Sequence, residues 1–178
     1  MFSLGTFKLG KLRHDGQVSI ISPNEQIPRQ RQIFLFDKAL LICKATGEKL
    51  LYKDKLDLSN YHVEEGSSVI GHRFNLAETS DNNNNNSSSS STYTLYAETN
   101  EAKQKWIELI TLALDNISPP DSQTATHEFG LHTFREPTQC GVCKKLLLGT
   151  FFQGYRCNKT DTNVHKECIS KVREKWER

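Results

Sequence analysis

The sequence predicts two small domains: a mainly β domain that ends in an α-helix, followed by a small α+β domain rich in cysteine and histidine. Short runs of β-prone residues recur through the first hundred residues, and one amphipathic helix pattern follows them. Four of the five cysteines then lie between Cys140 and Cys168. Because the polar, proline-containing stretch 118–122 separates the two parts, we expect a first domain at 1–118, a linker at 119–126 and a second domain at 127–175.

The first domain shows the alternation and turn signals of short strands. Asp37-Lys38 separates two apolar runs as a tight hairpin. The Asn/Ser-rich run at 81–91 has no apolar side chain to bury, so we expect a disordered loop between two strands. Several short strands at this spacing favour a barrel or a sandwich. The predicted strands span 16–21, 33–36, 39–43, 49–58, 61–63, 69–76 and 93–97.

A single strong helix pattern closes the first domain. It begins at Thr99 and continues to Ile117, with apolar residues at helical spacing and polar residues between them. Trp106 lies on the apolar face, so we predict that it fills the core rather than binding a ligand.

Three segments of this domain resemble a known family. QIFLFDKALLICK (32–44), YKDKLDL (52–58) and KQKWIELI (103–110) are similar to the pleckstrin-homology (PH) domain of Dbl-family exchange factors, most closely to the Vav family. The resemblance implies a seven-stranded barrel capped at one end by the helix. In that family a separate helical Dbl-homology domain catalyses nucleotide exchange on Rho and Rac GTPases.

The second domain carries a pattern of metal ligands. Cys140-x2-Cys143 and His165-x2-Cys168 each place two ligand atoms close together, and both pairs can hold one ion. Three thiolates and one imidazole in a closed tetrahedral set suit structural Zn²⁺. Cysteines clustered with histidines indicate metal ligands rather than disulfides in a reducing compartment.

The ligand spacing, together with LLLGTFFQGYRC (146–157) and HKEC (165–168), resembles the C1 domain that binds phorbol esters and diacylglycerol in some proteins. The resemblance implies two zinc sites. The second would use His127, Cys157 and two further cysteines, but Thr160 and Lys175 or Trp176 occupy those positions. We therefore predict one Zn²⁺ and a second site that is empty, or weak and completed by water or Asp161.

Composition restricts the remaining functions. Residues 1–119 contain 13 Lys/Arg and 14 Asp/Glu, and residues 120–178 contain 10 and 7, so neither half is basic enough for nucleic acid as the main partner. No apolar window is long enough for a transmembrane segment, and the N-terminus does not resemble a signal peptide. We expect a cytoplasmic chain that can associate peripherally with the plasma membrane.

Lipid contacts are predicted at two places. Arg29 and Arg31 follow the first predicted inter-strand loop, where related barrels bind phosphoinositides, but their surroundings predict weak contact. Leu146 and Leu148 lie at the rim where related C1 domains bind diacylglycerol. Arg135 and other polar groups occupy rim positions that are apolar in lipid-binding members, so the gain from the leucines and the cost of the arginine roughly cancel.

We interpret the chain as a non-catalytic regulatory module of a Vav-like Rho/Rac exchange factor. Its predicted partners are the Dbl-homology exchange domain, the GTPase, or both. A membrane-recruited adaptor that binds phosphoinositide or diacylglycerol is the alternative. An enzyme is disfavoured, because the zinc ligands leave no open position beside a general base and the other histidines have no visible nucleophile partner.

Overall fold

The computed structural model describes residues 9–65, 71–79 and 91–176, which form two compact units. The first unit spans Leu12–Ala113, and the second contains the chain from Leu114 on. The predicted polar loop at 81–91 lies outside the described residues except for Ser91.

One antiparallel sheet of seven strands builds the first unit, in the order β4-β3-β2-β1-β7-β6-β5. Strand β1 pairs with β2 along most of its length, and at its C-terminal end it also pairs with β7. This shared strand joins the two halves of the sheet. The strands are β1 (Leu12–Ile21), β2 (Arg29–Phe36), β3 (Ala39–Thr46), β4 (Lys49–Asp57), β5 (Tyr61–Glu64), β6 (His72–Glu78) and β7 (Thr92–Ala97).

Helix α1 (Asn100–Ile117) adds Trp106, Ile110 and Ala113 to the core of the first unit. The Thr99 hydroxyl accepts a hydrogen bond from the Ala102 backbone N–H at 3.1 Å, which caps the start of the helix. Trp106 is buried, and its ring lies 3.3 Å from the position that a Cβ on Gly16 would occupy. A mainly β domain closed by a helix is therefore confirmed, with Trp106 in its core.

The second unit is a small α+β domain. Its three strands, in the order β10-β9-β8, are β8 (Phe129–His132), β9 (Gly154–Cys157) and β10 (Asn163–Val164), and helix α2 (Ile169–Trp176) follows them. Its core contains few apolar side chains, and three cysteines are buried among them. A domain this small usually needs a metal or disulfides in addition to its apolar core.

The second unit also includes the last turn of α1, from Leu114. The Tyr155 hydroxyl donates a hydrogen bond to the backbone carbonyl of Asn116 at 2.5 Å, and Lys166 Nζ donates to the Asn116 side-chain oxygen at 2.7 Å. Because the last carbonyls of a helix have no partner within it, the Tyr155 bond satisfies a backbone group at the end of α1. Burial, and next the charge of Glu167, raise the pKa of Tyr155 to about 12.

Candidate metal centre

The four residues of the predicted complete site come together in the second unit. One Sγ or imidazole nitrogen from each of Cys140, Cys143, His165 and Cys168 lies within 4.8 Å of all the others. Within the part of the chain that the structure describes, this quartet is the group of three or more metal-ligating side chains close enough to share an ion. Cys140 and Cys168 are buried, whereas Cys143 is exposed.

A tight turn presents the first two ligands. The Lys144 backbone N–H donates to the Cys140 carbonyl at 3.0 Å, and the Cys140 N–H donates to the Lys145 carbonyl at 2.8 Å. Lys144 adopts a left-handed φ of 63°, which reverses the chain directly after Cys143. The turn therefore directs both sulfur atoms toward one point.

The other two ligands lie at a 3₁₀ turn, Lys166–Cys168, that leads into α2: His165 directly precedes the turn, and Cys168 is its last residue. The Cys168 N–H donates to the His165 carbonyl at 3.0 Å, which keeps the two side chains on the same side. His165 Nδ1 lies 3.4 Å from Cys143 Sγ, and His165 Nε2 lies 3.1 Å from the Leu146 carbonyl oxygen. With Nε2 protonated and bound to that carbonyl, Nδ1 is left free to bind a metal.

The pKa values of two thiols in the quartet are shifted in opposite directions. Burial opposes ionisation of Cys140, but N–H groups of Cys143, His165 and Val142 outweigh it and lower the pKa of Cys140 to about 6. Burial and the neighbouring thiols Cys140 and Cys143 raise the pKa of Cys168 to about 12. Adjacent thiolates repel one another, and a divalent cation between them removes that repulsion.

This donor set fits Zn²⁺. Three sulfur atoms and one imidazole nitrogen form a usual structural zinc set, and the spacing of at most 4.8 Å is compatible with a shared ion. Four protein ligands leave no coordination position for a substrate, so the ion would stabilise the fold rather than take part in a reaction.

The residues predicted for a second site form a pair rather than a quartet. His127 Nδ1 lies 3.6 Å from Cys157 Sγ and 3.4 Å from the Thr160 hydroxyl oxygen. Asp161, the acidic residue that could have completed this site, instead forms an ion pair with Arg156 at 2.8 Å.

The predicted lipid-contact leucines lie in an exposed loop. Leu146 and Leu148 are 45% and 78% exposed, whereas Leu147 between them is buried. The Gln153 side chain holds this loop: its oxygen accepts from the Phe134 N–H at 2.8 Å, and its amide nitrogen donates to the Gly149 carbonyl at 3.0 Å. We refer to the exposed pair Leu146 and Leu148 as the leucine tip.

The predicted phosphoinositide contacts lie at the start of β2, and both are paired internally. Arg29 Nε lies 3.0 Å from Glu25 Oε1, and an Arg31 guanidinium nitrogen lies 3.6 Å from the same oxygen. The Arg31 side chain is only 11% exposed. Sequence reasoning missed Glu25, because the spacing of residues within a loop does not predict which of them meet.

Comparison with known families agrees with this architecture. The SOS1/NGEF-like PH domain model matches residues 7–113, and the model of the phorbol ester and diacylglycerol binding (C1) domain matches residues 127–177. Human "Proto-oncogene vav" is 37% identical over 163 residues, which is 92% of this chain and 19% of that protein. Drosophila melanogaster "Protein vav" is 35% identical over 174 residues, covering 90% of this chain and 21% of that protein. The chain thus spans about a fifth of the length of these relatives.

Solved structures show the same two domains in the same order. The structure reported as "Critical structural role for the PH and C1 domains of the Vav1 exchange factor" matches with a TM-score of 0.81 and 34% identity. It covers 94% of this chain and 44% of the other. The structure "Autoinhibited Vav1" matches with a TM-score of 0.80 and covers 94% of this chain and 30% of the other. The chain therefore belongs to the SOS1/NGEF-like PH domain family and carries a C1 domain after it, and this PH–C1 region is homologous to that of the Vav proteins.

Proposed function

We propose that this chain is a non-catalytic regulatory module of a Rho/Rac guanine nucleotide exchange factor, in which it supports a separate helical exchange domain. The observation that carries the proposal is the match across 94% of the chain to a structure reported for the structural role of the Vav1 PH and C1 domains. The closed zinc set agrees with it, because four protein ligands stabilise a fold and bind no substrate. Its partners are the exchange domain, the GTPase, or both.

An exchange assay tests this function. The exchange domain of a Vav relative is prepared alone and fused to this chain, and release of fluorescent GDP from Rac is measured. We expect the fusion to exchange faster and to unfold at a higher temperature than the isolated domain. A fusion carrying Cys168→Ser, which removes one zinc ligand, serves as the control and should lose most of this gain. Equal rates and equal unfolding temperatures for the fusion and the isolated domain would contradict the proposal.

A membrane-recruited adaptor is the second candidate, and the exposed leucine tip favours it. Leu148 is 78% exposed, and burying such a side chain in lipid is worth about 1.5–3 kcal/mol. The first unit supports membrane binding less, because Glu25 already pairs with Arg29 and Arg31. In this function the chain is cytoplasmic and associates peripherally with the plasma membrane. No helix among the residues that the structure describes is long and apolar enough to cross a bilayer.

Vesicle flotation distinguishes the two lipid contacts. The chain is mixed with phosphatidylcholine vesicles that contain diacylglycerol, phosphatidylinositol bisphosphate or neither. If the leucine tip inserts, diacylglycerol vesicles recruit the chain, and Leu148→Ser abolishes recruitment. If the arginines bind the headgroup, Arg29→Gln weakens binding to the phosphoinositide vesicles alone. No recruitment by any vesicle would exclude the adaptor function and leave the exchange-factor function unaffected.

We also propose that the chain holds one Zn²⁺, bound by Cys140, Cys143, His165 and Cys168. At the position of the family's other site, only His127 and Cys157 are suitable ligands, and they lie next to each other. Asp161 pairs with Arg156 instead of approaching them. Zinc measured by mass spectrometry on the purified chain should therefore be close to one ion per molecule.

A further inference from the structure

His127, Cys157 and Thr160 form a polar cluster in the second unit, where β8 begins and β9 ends, and we name it the threonine corner. His127 Nδ1 lies 3.6 Å from Cys157 Sγ and 3.4 Å from Thr160 Oγ1. We propose that the threonine corner is a hydrogen-bonded replacement for a metal site, and that the Thr160 hydroxyl, standing where a third suitable ligand would be, prevents the corner from holding zinc even as an open site with three protein ligands. This goes beyond the one-zinc proposal, because it names the one substitution that would restore metal binding.

The spacing in the threonine corner is that of a metal site. Zinc binds sulfur at about 2.3 Å and imidazole nitrogen at about 2.0–2.1 Å, so two ligand atoms at a tetrahedral angle lie about 3.6 Å apart. The Cys157 and His127 ligand atoms have this separation, and Thr160 Oγ1 lies at a similar distance from His127. The backbone therefore already places a third side chain at a coordinating position.

The chemistry at that third position is unsuitable for zinc. A threonine hydroxyl stays protonated near neutral pH and is a weak neutral donor, whereas structural zinc sites use thiolates and imidazoles. With two suitable ligands, the threonine corner falls below the three protein ligands that even open zinc sites have. Trp176, at the spacing of a fourth ligand, carries an indole N–H that donates hydrogen bonds and accepts none.

Hydrogen bonds satisfy the polar groups of the threonine corner without a metal. The Thr160 hydroxyl donates to Thr162 Oγ1 at 3.0 Å, which leaves its oxygen able to accept from the His127 ring in the tautomer that carries the proton on Nδ1. Cys157 Sγ accepts from the Glu128 backbone N–H at 3.4 Å. The His127 ring stacks on Phe129 with centroids 5.4 Å apart, and the residue is only 7% exposed. These contacts fix the imidazole where a metal would otherwise fix it.

One substitution tests the proposal. Thr160→Cys places a thiol beside His127 and Cys157, giving three suitable ligands and a position for water. We expect the zinc content of the purified chain to rise from one to two ions per molecule. Asn158→Cys is the matched control: it adds a cysteine to the same turn, but the Asn158 side chain points to Glu128, to which it donates at 3.1 Å. Its zinc content should remain at one.

Cobalt titration gives an independent readout for the metal-free chain. Co²⁺ bound to thiolates absorbs in the near ultraviolet, and we expect saturation at one equivalent for the natural chain and at two for Thr160→Cys. Two ions in the natural chain would overturn both this inference and the one-zinc proposal. One ion in Thr160→Cys, with the amide NMR spectrum of the β8–β9 region retained, would overturn this inference alone. A Thr160→Cys chain that fails to fold in zinc would also overturn it, because the spacing would then not accept a metal.

Discussion

Removal of the zinc ion should unfold the second unit and leave the first unit folded. The perturbation is an excess of a strong chelator at neutral pH, applied to the complete chain. All four residues proposed to bind the ion belong to the second unit, whose core is small and contains three cysteines. The first unit has its own core of strand residues and the buried Trp106, and none of the four proposed ligands belongs to it.

The expected magnitude follows from the site geometry. Structural zinc contributes about 10–16 kcal/mol to the folding of comparable small domains, whereas whole domains are stable by only about 5–15 kcal/mol. Without the ion, two thiolates no more than 4.8 Å apart would repel by at least about 3.5 kcal/mol at an effective dielectric constant of about 20. The thiols therefore take up protons, and the attraction that held the two ligand-bearing segments together is lost.

Two-dimensional amide NMR measures the outcome for each unit separately. We expect resonances of β8, β9 and α2 to collapse to the narrow range of an unfolded chain, while those of β1–β7 keep their positions. Cys168→Ser should produce the same spectrum without chelator. Cys43→Ala is the matched control, because Cys43 is equally buried but lies in β3, and that variant should keep its zinc. Dispersed second-unit resonances in a chain shown to contain no zinc would refute the reasoning.

Three further predictions concern the second unit. Gly154→Ala should destabilise the unit by about 1–3 kcal/mol, because the added Cβ would lie 2.7 Å from the Val164 carbonyl oxygen. Gly130→Ala in the neighbouring strand is the control and should not destabilise it, because its Cβ would meet no atom within 4 Å. Chemical denaturation measures the free energy of unfolding of both variants. Gln153→Ala should cost about 1–3 kcal/mol by removing the bonds that brace the leucine tip, and proteolysis should cut that loop faster. Tyr155→Phe should cost about 1 kcal/mol, and it should also reduce the loss of stability at alkaline pH. The pKa of Tyr155 in the folded chain is raised to about 12, so the tyrosine ionises first in the unfolded chain, and the free energy of unfolding falls as the pH rises from about 10 toward 12. Urea unfolding across this pH range shows whether the free energy of unfolding of Tyr155→Phe falls less steeply.

The zinc quartet was predictable from the sequence because its spacing is local. Two residues separate the members of each ligand pair, so a single turn fixes the geometry of the pair whatever the rest of the fold. The contact between the two pairs is long-range in the sequence, since it depends on both the 3₁₀ turn before α2 and the turn after Cys143. The ligand types alone predicted that both pairs hold one ion, and the family resemblance implied the same four residues.

Strand ends were less predictable than strand centres. The apolar run at 33–36 predicted the second half of β2, but the strand begins at Arg29. Its polar first half pairs with β1, with Arg29 opposite Ile20 and Gln30 opposite Ser19. Hydrophobic pattern does not detect such a segment, because backbone hydrogen bonds extend a strand beyond the point where its side chains are buried.

The arginine contacts show a different limit. Arg29 and Arg31 are charged and follow a loop, and these two facts suggested a headgroup site. The structure places Glu25 against both guanidiniums, and a second oxygen of Glu25 is buried without a hydrogen-bond partner. A phosphate would therefore have to displace a carboxylate that is already in contact with both arginines, which reduces its gain in binding energy. Net charge in a short window cannot reveal such pairing.

The metal site and the leucine tip are connected through one imidazole, which determines how the two proposed functions can be separated. His165 offers one ring nitrogen to the zinc quartet and the other to the Leu146 carbonyl, 3.1 Å away. Loss of zinc would therefore disturb the loop that carries Leu146 as well as the fold that would support an exchange domain. Leu148 is 78% exposed, so replacing it removes apolar surface without disturbing the core. Leu148→Ser consequently isolates the lipid function, whereas a zinc-ligand variant removes both functions together.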